Sequence, residues 1–163
     1  MSWLFPWKTA VESPIGWVVI EGRSGVQRVR FEDRRPEQGP DPIGAGQAVR
    51  RYLSGELRAL DEVPIEPAGT EYQRRVWAVV RSIPPGHTRS YGEIARQLRS
   101  VARAVGRANA TNPVSLFVPC HRVLGQHGKL TGYAFGVHRK RWLLEHESAE
   151  LELYPRSRSP GEI

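Results

Sequence analysis

Ser90-Tyr91-Gly92-Glu93-Ile94-Ala95-Arg96-Gln97-Leu98, then Arg99-Ser100, then Val101-Ala102-Arg103-Ala104-Val105-Gly106-Arg107-Ala108-Asn109-Ala110, is the stretch whose reading decides the fold. Ser90 with Glu93 three residues on fits a capping box, which opens a helix by satisfying its first free N–H groups. Ile94, Ala95 and Leu98 share one face of that helix. Arg99-Ser100 interrupts the pattern, and Val101, Ala102, Val105 and Ala108 resume it as far as about Ala110. Arg103 and Arg107 stand four apart, so they share a face of the second helix. Two short helices joined by a tight turn, the second basic and rich in small residues, predict a helix-turn-helix. Many small helix pairs share this pattern, so its weight rests on the charge around it.

That charge is confined. Residues 70–150 carry 13 Lys/Arg against 5 Asp/Glu, whereas residues 1–69 carry 9 against 10 and residues 151–163 carry 2 of each. The net charge of +7 therefore belongs to the segment with the helix pair. A basic surface that only aids solubility is the plain alternative, but confinement to one segment favours a polyanionic partner, nucleic acid first. A chain of 163 residues with 39% hydrophobic and 25% charged content is expected to be globular. Its single cysteine excludes an internal disulfide and a CxxC zinc pattern, and suits a reducing compartment. The apolar start, Met1 to Trp7, is cut by Pro6 and lacks a basic leader, so no signal peptide is expected. No apolar run approaches a bilayer span. The expectation is a cytoplasmic protein without a membrane partner.

Outward from the helix pair, Thr70-Glu71-Tyr72-Gln73 fits another capping box, with Thr70 as N-cap. Tyr72, Val76, Val79, Val80 and Ile83 form the apolar stripe behind it, and Pro84-Pro85-Gly86 stops the helix. Asp61 to Gly69, with two prolines and no period, reads as a linker. Earlier, Gly16–Glu21 and Val26–Phe31 read as a strand hairpin. Arg34 to Gly46 reads as a loop, and Ala48, Val49, Tyr52 and Leu53 as a helix ended by Gly55. Downstream, Asn112-Pro113 breaks the chain, and Leu116-Phe117-Val118 is an extended apolar run. A loop with Gly125, Gly128, Gly132 and Gly136 follows. Val137 to about Glu150 reads as a closing helix, with Trp142, Leu143 and Leu144 toward the core. The expected division is residues 1–66, residues 67–150, and a flexible tail at 151–163.

The extended run leads into Pro119-Cys120-His121-Arg122-Val123, which holds the lone cysteine. On residue types alone, Cys120 is either an inert buried thiol, the commoner case, or a nucleophile. A free thiol, with a pKa of about 8.5, is only a few per cent ionised at neutral pH. An adjacent imidazole raises that fraction, and the imidazole needs a carboxylate to orient it. Glu145, Glu147 and Glu150 are candidates, and composition does not choose among them. His127, His138 and His146 show no ligand spacing, so no metal is expected.

With these residues in view, the chain resembles the O6-alkylguanine-DNA alkyltransferases, the methylated-DNA–protein-cysteine methyltransferases. Pro119-Cys120-His121-Arg122-Val123 matches their acceptor signature residue for residue. Tyr72-Gln73 through Val76-Trp77, Ile83-Pro84, Ser90 to Ala95, Arg103-Ala104-Val105-Gly106, Asn112-Pro113, Gly132-Tyr133 and Arg141-Trp142-Leu143-Leu144 through Glu147 follow in the family's order. The specific likeness spans roughly residues 70–150. In the N-terminal part only the strand opening Ser13-Pro14-Ile15-Gly16 fits.

The resemblance implies an α+β fold: a small ribonuclease-H-like α/β roll over 1–66, then a mostly helical winged-helix, helix-turn-helix unit over 67–150. It implies a monomer that binds double-stranded DNA containing O6-alkylguanine, takes O4-alkylthymine as well, and uses no cofactor. Cys120 becomes the alkyl acceptor, His121 its base, Glu147 the orienting carboxylate, and Tyr91 the proton donor to the departing base. Asn112 braces the turn before the acceptor. Arg103 enters the base stack, and Ala102 and Arg107 belong to the DNA-binding helix. Val123 and Ala134 offer backbone groups to the base, Tyr133 walls the pocket, and Phe135 stands beside it. Two departures from the family pattern carry expectations. The stretch from Ala95 to Ala102 is short, so the turn is tighter. Phe135 stands where many bacterial members have tryptophan and others glycine, so it is expected to narrow the pocket against large alkyl groups. A non-catalytic alkyltransferase-like lesion binder, which lacks the acceptor cysteine, and a cysteine hydrolase are the competing readings. Cys120 argues against the first.

Overall fold

The computed structural model describes residues 5–153. Strands β1 (Trp7–Ser13), β2 (Gly16–Gly22) and β3 (Val26–Glu32) form an antiparallel sheet in chain order. In β2, Val18, Val19 and Ile20 are all buried, so the strand is covered on both faces and reads as a continuous apolar run. β1 was not expected from the sequence. Its polar Lys8, Thr9 and Glu12 break any alternation, and its strand state comes from seven consecutive pairings with β2, Trp7 to Gly22 through Ser13 to Gly16. Helix α1 (Ala45–Leu53) packs against β1 and buries Ala45, Ala48, Val49 and Tyr52.

The expected linker is pinned rather than loose. Val63 is buried. Val26 N donates to Pro64 O at 2.9 Å, Glu66 N to Val26 O at 2.8 Å, and Arg81 Nη2 to Val63 O at 2.8 Å. Prolines remove donors from this segment, but its carbonyls still serve β3 and the next helix. That helix, α2 (Glu71–Arg81), starts on the predicted capping box with both halves made: Gln73 N to Thr70 Oγ1 at 3.1 Å and Thr70 N to Gln73 Oε1 at 2.8 Å. Trp77 Nε1 donates to Ala108 O at 2.7 Å and ties α2 to the second helix of the predicted pair.

Helices α3 (Tyr91–Leu98) and α4 (Ala102–Ala110) form the predicted pair. Only the forward half of the second box is made, Glu93 N to Ser90 Oγ at 3.0 Å. The tight turn has a specific geometry. Arg99 is left-handed (φ 53, ψ 47), Ser100 N donates to Ala95 O at 2.8 Å, and Arg99 N donates to Arg96 O at 3.3 Å. This is a Schellman ending, which reverses the chain in three residues. Tyr72 Oη and Ser100 Oγ, 2.7 Å apart, fasten that turn to α2. Short strands β4 (Arg89–Ser90) and β5 (Val123–Leu124) pair in parallel. Helix α5 (Val137–Leu153) closes the chain and takes in residues 151–153 of the expected tail; the remainder of that tail lies outside the described residues. One continuous buried cluster joins Val18, Ile20 and Tyr52 with Val76, Ile94, Val105 and Leu143. The chain is α+β, as expected.

Candidate active site

Asn112 builds the platform for Cys120. Its Nδ2 donates to Val118 O at 2.9 Å and its Oδ1 accepts from Val114 N at 2.9 Å. One side chain thus closes the turn from Asn112 to Val118. Leu116-Phe117-Val118 is not the extended run expected. Leu116 has φ 76, and Val118 N returns to Val114 O at 3.0 Å. A left-handed leucine costs about 1–2 kcal/mol, and burial of its side chain holds it there. The turn delivers Cys120 to the start of one 3-10 turn, Cys120–Arg122.

Cys120 is buried, with Sγ 3.7 Å from Ser115 Oγ. Burial pushes its thiol pKa up, while Asn112, Ser115 and the Lys140 charge act against that shift. A thiol so placed is protonated at neutral pH and needs a base. His121 is buried beside it in sequence, yet no hydrogen bond joins the two among the described residues. Instead, His121 Nε2 lies 2.9 Å from Glu147 Oε2, and His121 Nδ1 has no hydrogen-bond partner among the described groups. Burial lowers the imidazole pKa, and Glu147 pulls it back up. The imidazole is therefore neutral, with its proton on Nε2 facing the carboxylate and Nδ1 free as the basic atom.

Glu147 is the hub. Its Oε2 accepts from His121, from Tyr52 Oη at 2.7 Å and from Arg122 Nη2 at 2.8 Å, and its Oε1 accepts from Arg122 Nε at 2.9 Å. Burial pushes its pKa up, but His121 and Arg122 outweigh burial and hold it well below the usual carboxylate range. Glu147 is ionised, so it orients the imidazole without taking its proton.

Cys120 opens onto a pocket of about 280 Å³. Tyr91, Tyr133 and Ala134, expected beside the base, line it, and so do Asn109, Asn112 and Ser115, which were not expected there. Tyr91, the first residue of α3, is half-buried. Burial raises its pKa, with the side chains of Asn109 and Thr131 acting the other way. The buried Tyr133 hydroxyl has no partner among the described groups. Val123 lies outside the lining, buried in β5, and its carbonyl accepts from Lys140 Nζ at 2.7 Å. Phe135 corrects an expectation, since it too lies outside the lining. Its ring packs edge-on against Phe31 at 5.0 Å and Tyr133 at 5.9 Å, so it backs the pocket wall rather than narrowing the opening. The reason is the N-terminal sheet, which offers Phe31 as a partner. Ala102, Arg103 and Arg107 are exposed on α4, and both arginines border a surface groove with Thr70 and Tyr72.

Residues 71–149 match the family described as 6-O-methylguanine DNA methyltransferase, DNA binding domain. The methylated-DNA–protein-cysteine methyltransferase of Mycobacterium tuberculosis is 43% identical over 164 residues, covering 94% of each chain. That of Shigella flexneri is 50% identical over 158 residues, covering 84% of this chain and 92% of the relative. The chain belongs to the methylated-DNA–protein-cysteine methyltransferase family. Its fold matches the crystal structure of Mycobacterium tuberculosis OGT in complex with DNA with a TM-score of 0.76 at 42% identity, over 88% of this chain and 93% of that one.

Within this methyltransferase, sequence reasoning missed Tyr52, Arg122 as a ligand of the carboxylate, and Lys140. Lys140 is fully buried, and its Nζ also donates to Thr131 O at 2.8 Å, so it joins β5 to the pocket loop. The adjacency of Arg122 to His121 was the one available signal. Tyr52 and Lys140 gave none, because their partners lie elsewhere in the chain. Among the described residues, no group of three or more His, Cys, Asp or Glu could hold a metal, and no helix is long and apolar enough to cross a membrane.

Proposed function

We infer that this protein repairs DNA by moving the alkyl group of O6-alkylguanine in a duplex onto Cys120, once per molecule. The observation that carries this is a buried cysteine opening onto a base-sized pocket, next to a His121–Glu147 pair whose free nitrogen is basic. His121 Nδ1 takes the thiol proton through solvent. The thiolate attacks the alkyl carbon in line, the C–O6 bond breaks, and its electron pair leaves on guanine O6. Tyr91 donates a proton to the departing base, and a thioether remains on Cys120. O4-alkylthymine presents the same carbon–oxygen bond. Since O6 is enclosed in the duplex, the nucleotide is flipped out at a cost of a few kcal/mol. Arg103, exposed on α4, fills the stack and offsets part of that cost. Ala102 keeps the helix start close to DNA, and Arg107 contributes phosphate affinity. The acceptor chemistry belongs to residues 67–150, with residues 1–66 as support. We place the protein in the cytoplasm as a monomer, where its thiol stays reduced.

Intact mass after incubation with an O6-methylguanine duplex tests this. One methyl mass added to the protein, absent in Cys120→Ala, is the expected result. Duplex binding with no adduct would indicate a lesion binder, and repeated turnover would indicate a hydrolase.

A further inference from the structure

Tyr52 lies in α1, far in sequence from every group that reacts, yet its hydroxyl donates at 2.7 Å to the carboxylate oxygen that also receives His121. It is completely buried. Helix α5 holds it from a second side: His146 Nε2 lies 2.9 Å from Tyr52 O, and the two rings meet edge-on at 5.3 Å. Its hydroxyl pKa is pushed well above the ordinary value by burial first and by Glu147 next, so it acts only as a donor.

Glu147 Oε2 receives Tyr52, His121 and Arg122, and Oε1 receives Arg122 alone. Donors on a carboxylate stabilise its charged form and weaken it as a proton acceptor. Remove one donor, and the oxygen facing the imidazole becomes more basic and freer to rotate. The imidazolium form is then stabilised, and His121 leaves its neutral state at higher pH.

We propose that Tyr52 is a positioning residue for alkyl transfer: it holds Glu147 so that His121 keeps its proton on Nε2 and Nδ1 stays basic. The N-terminal unit then completes the catalytic network by one hydrogen bond rather than serving only as a support. The groups bearing on this network are Tyr52, Arg122, His121 and, through its charge, Tyr133 around Glu147, and Glu147, Arg122 and Lys140 around His121. The proposal rests on the transfer function inferred above.

The test is Tyr52→Phe, which removes one oxygen and keeps the ring. Single-turnover transfer from an O6-methylguanine duplex is measured against pH, with duplex affinity and thermal unfolding alongside. Transfer at neutral pH is expected to slow about tenfold, within what one hydrogen bond to a charged group allows. The acid limb of the pH–rate profile should move to higher pH, because a more basic Glu147 raises the His121 pKa. Duplex affinity should stay unchanged. A variant with wild-type rate and profile overturns the proposal, as does a slower variant whose acid limb has not moved, which would mark a purely structural role. Failure of the wild-type protein to transfer in the same assay would sink the function instead. Should Tyr52→Phe fail to fold, 3-fluorotyrosine placed at position 52 supplies a more acidic donor. The acid limb should then move to lower pH, and an unmoved limb overturns the proposal.

Discussion

Arg122→Met isolates the pairing at the centre of the site. The Arg122 side chain makes three short contacts: Nε to Glu147 Oε1 at 2.9 Å, Nη2 to Glu147 Oε2 at 2.8 Å, and Nη1 to Ile83 O at 2.6 Å. Arginine and carboxylate are both buried. Methionine keeps much of the stem but offers no donor. The change leaves Glu147 with two neutral donors and strips a carbonyl just past the end of α2. Breaking a buried pair from one side costs about 3–5 kcal/mol. The orphaned carbonyl adds to this, though not independently, because the groups share one network. Since Tyr52 and His121 still serve Glu147, the low end applies, about 3 kcal/mol. For a chain of this size that lowers the Tm by about 6–12 °C. Thermal unfolding by circular dichroism at neutral pH measures it. A pH series adds a sign. In the wild type the folded Glu147 pKa is depressed, so its contribution is present above the unfolded carboxylate value of about 4.3 and is lost as pH falls toward the folded value. Without Arg122 the folded value rises, and that contribution shrinks. The gap in Tm should thus be widest at neutral pH and narrow in acid. A gap under about 2 °C at neutral pH, or one that stays constant into acid, would refute the reasoning.

Arg99→Gly should stabilise the protein. The left-handed arginine at φ 53 costs about 1–2 kcal/mol, and glycine adopts that geometry freely while losing part of the gain to chain entropy. A net gain of roughly 0.5–1 kcal/mol corresponds to a Tm rise of about 1–4 °C, and a fall would contradict the Schellman reading. Arg103→Ala should weaken duplex binding regardless of sequence, because nothing then fills the gap left in the stack by the flipped nucleotide. Transfer from the duplex should slow, whereas transfer from free O6-benzylguanine should not. Equal slowing of both would rule out a role at the base stack.

What could be read from the sequence was short-range. The capping box at Thr70, the N-cap at Ser90 and the stripe through Val76 and Val80 all rest on contacts a few residues apart. Periodicity and cap chemistry encode such contacts directly. The motif around Cys120 and the order of its companions added the family and the role of Glu147. Strand β1 was not legible, because pairing with β2 specifies it and its own pattern does not. The same holds for Phe135, whose place depends on Phe31 more than a hundred residues earlier in the chain.

Helix α5 shows the division most clearly. Its sequence offered Trp142, Leu143 and Leu144 as the core face, but the fully buried positions include Lys140 and Glu147. A charged residue reads as surface until its partners are known, since burying a charge is tolerable only where opposite charge or hydrogen bonds meet it. Those partners are Val123 and Thr131 carbonyls for Lys140, and His121, Arg122 and Tyr52 for Glu147. The sequence by itself determined the helix pair and the family. Only the tertiary structure decided which charges are buried and that Tyr52 joins the site, because these depend on residues brought together from up to 95 positions apart.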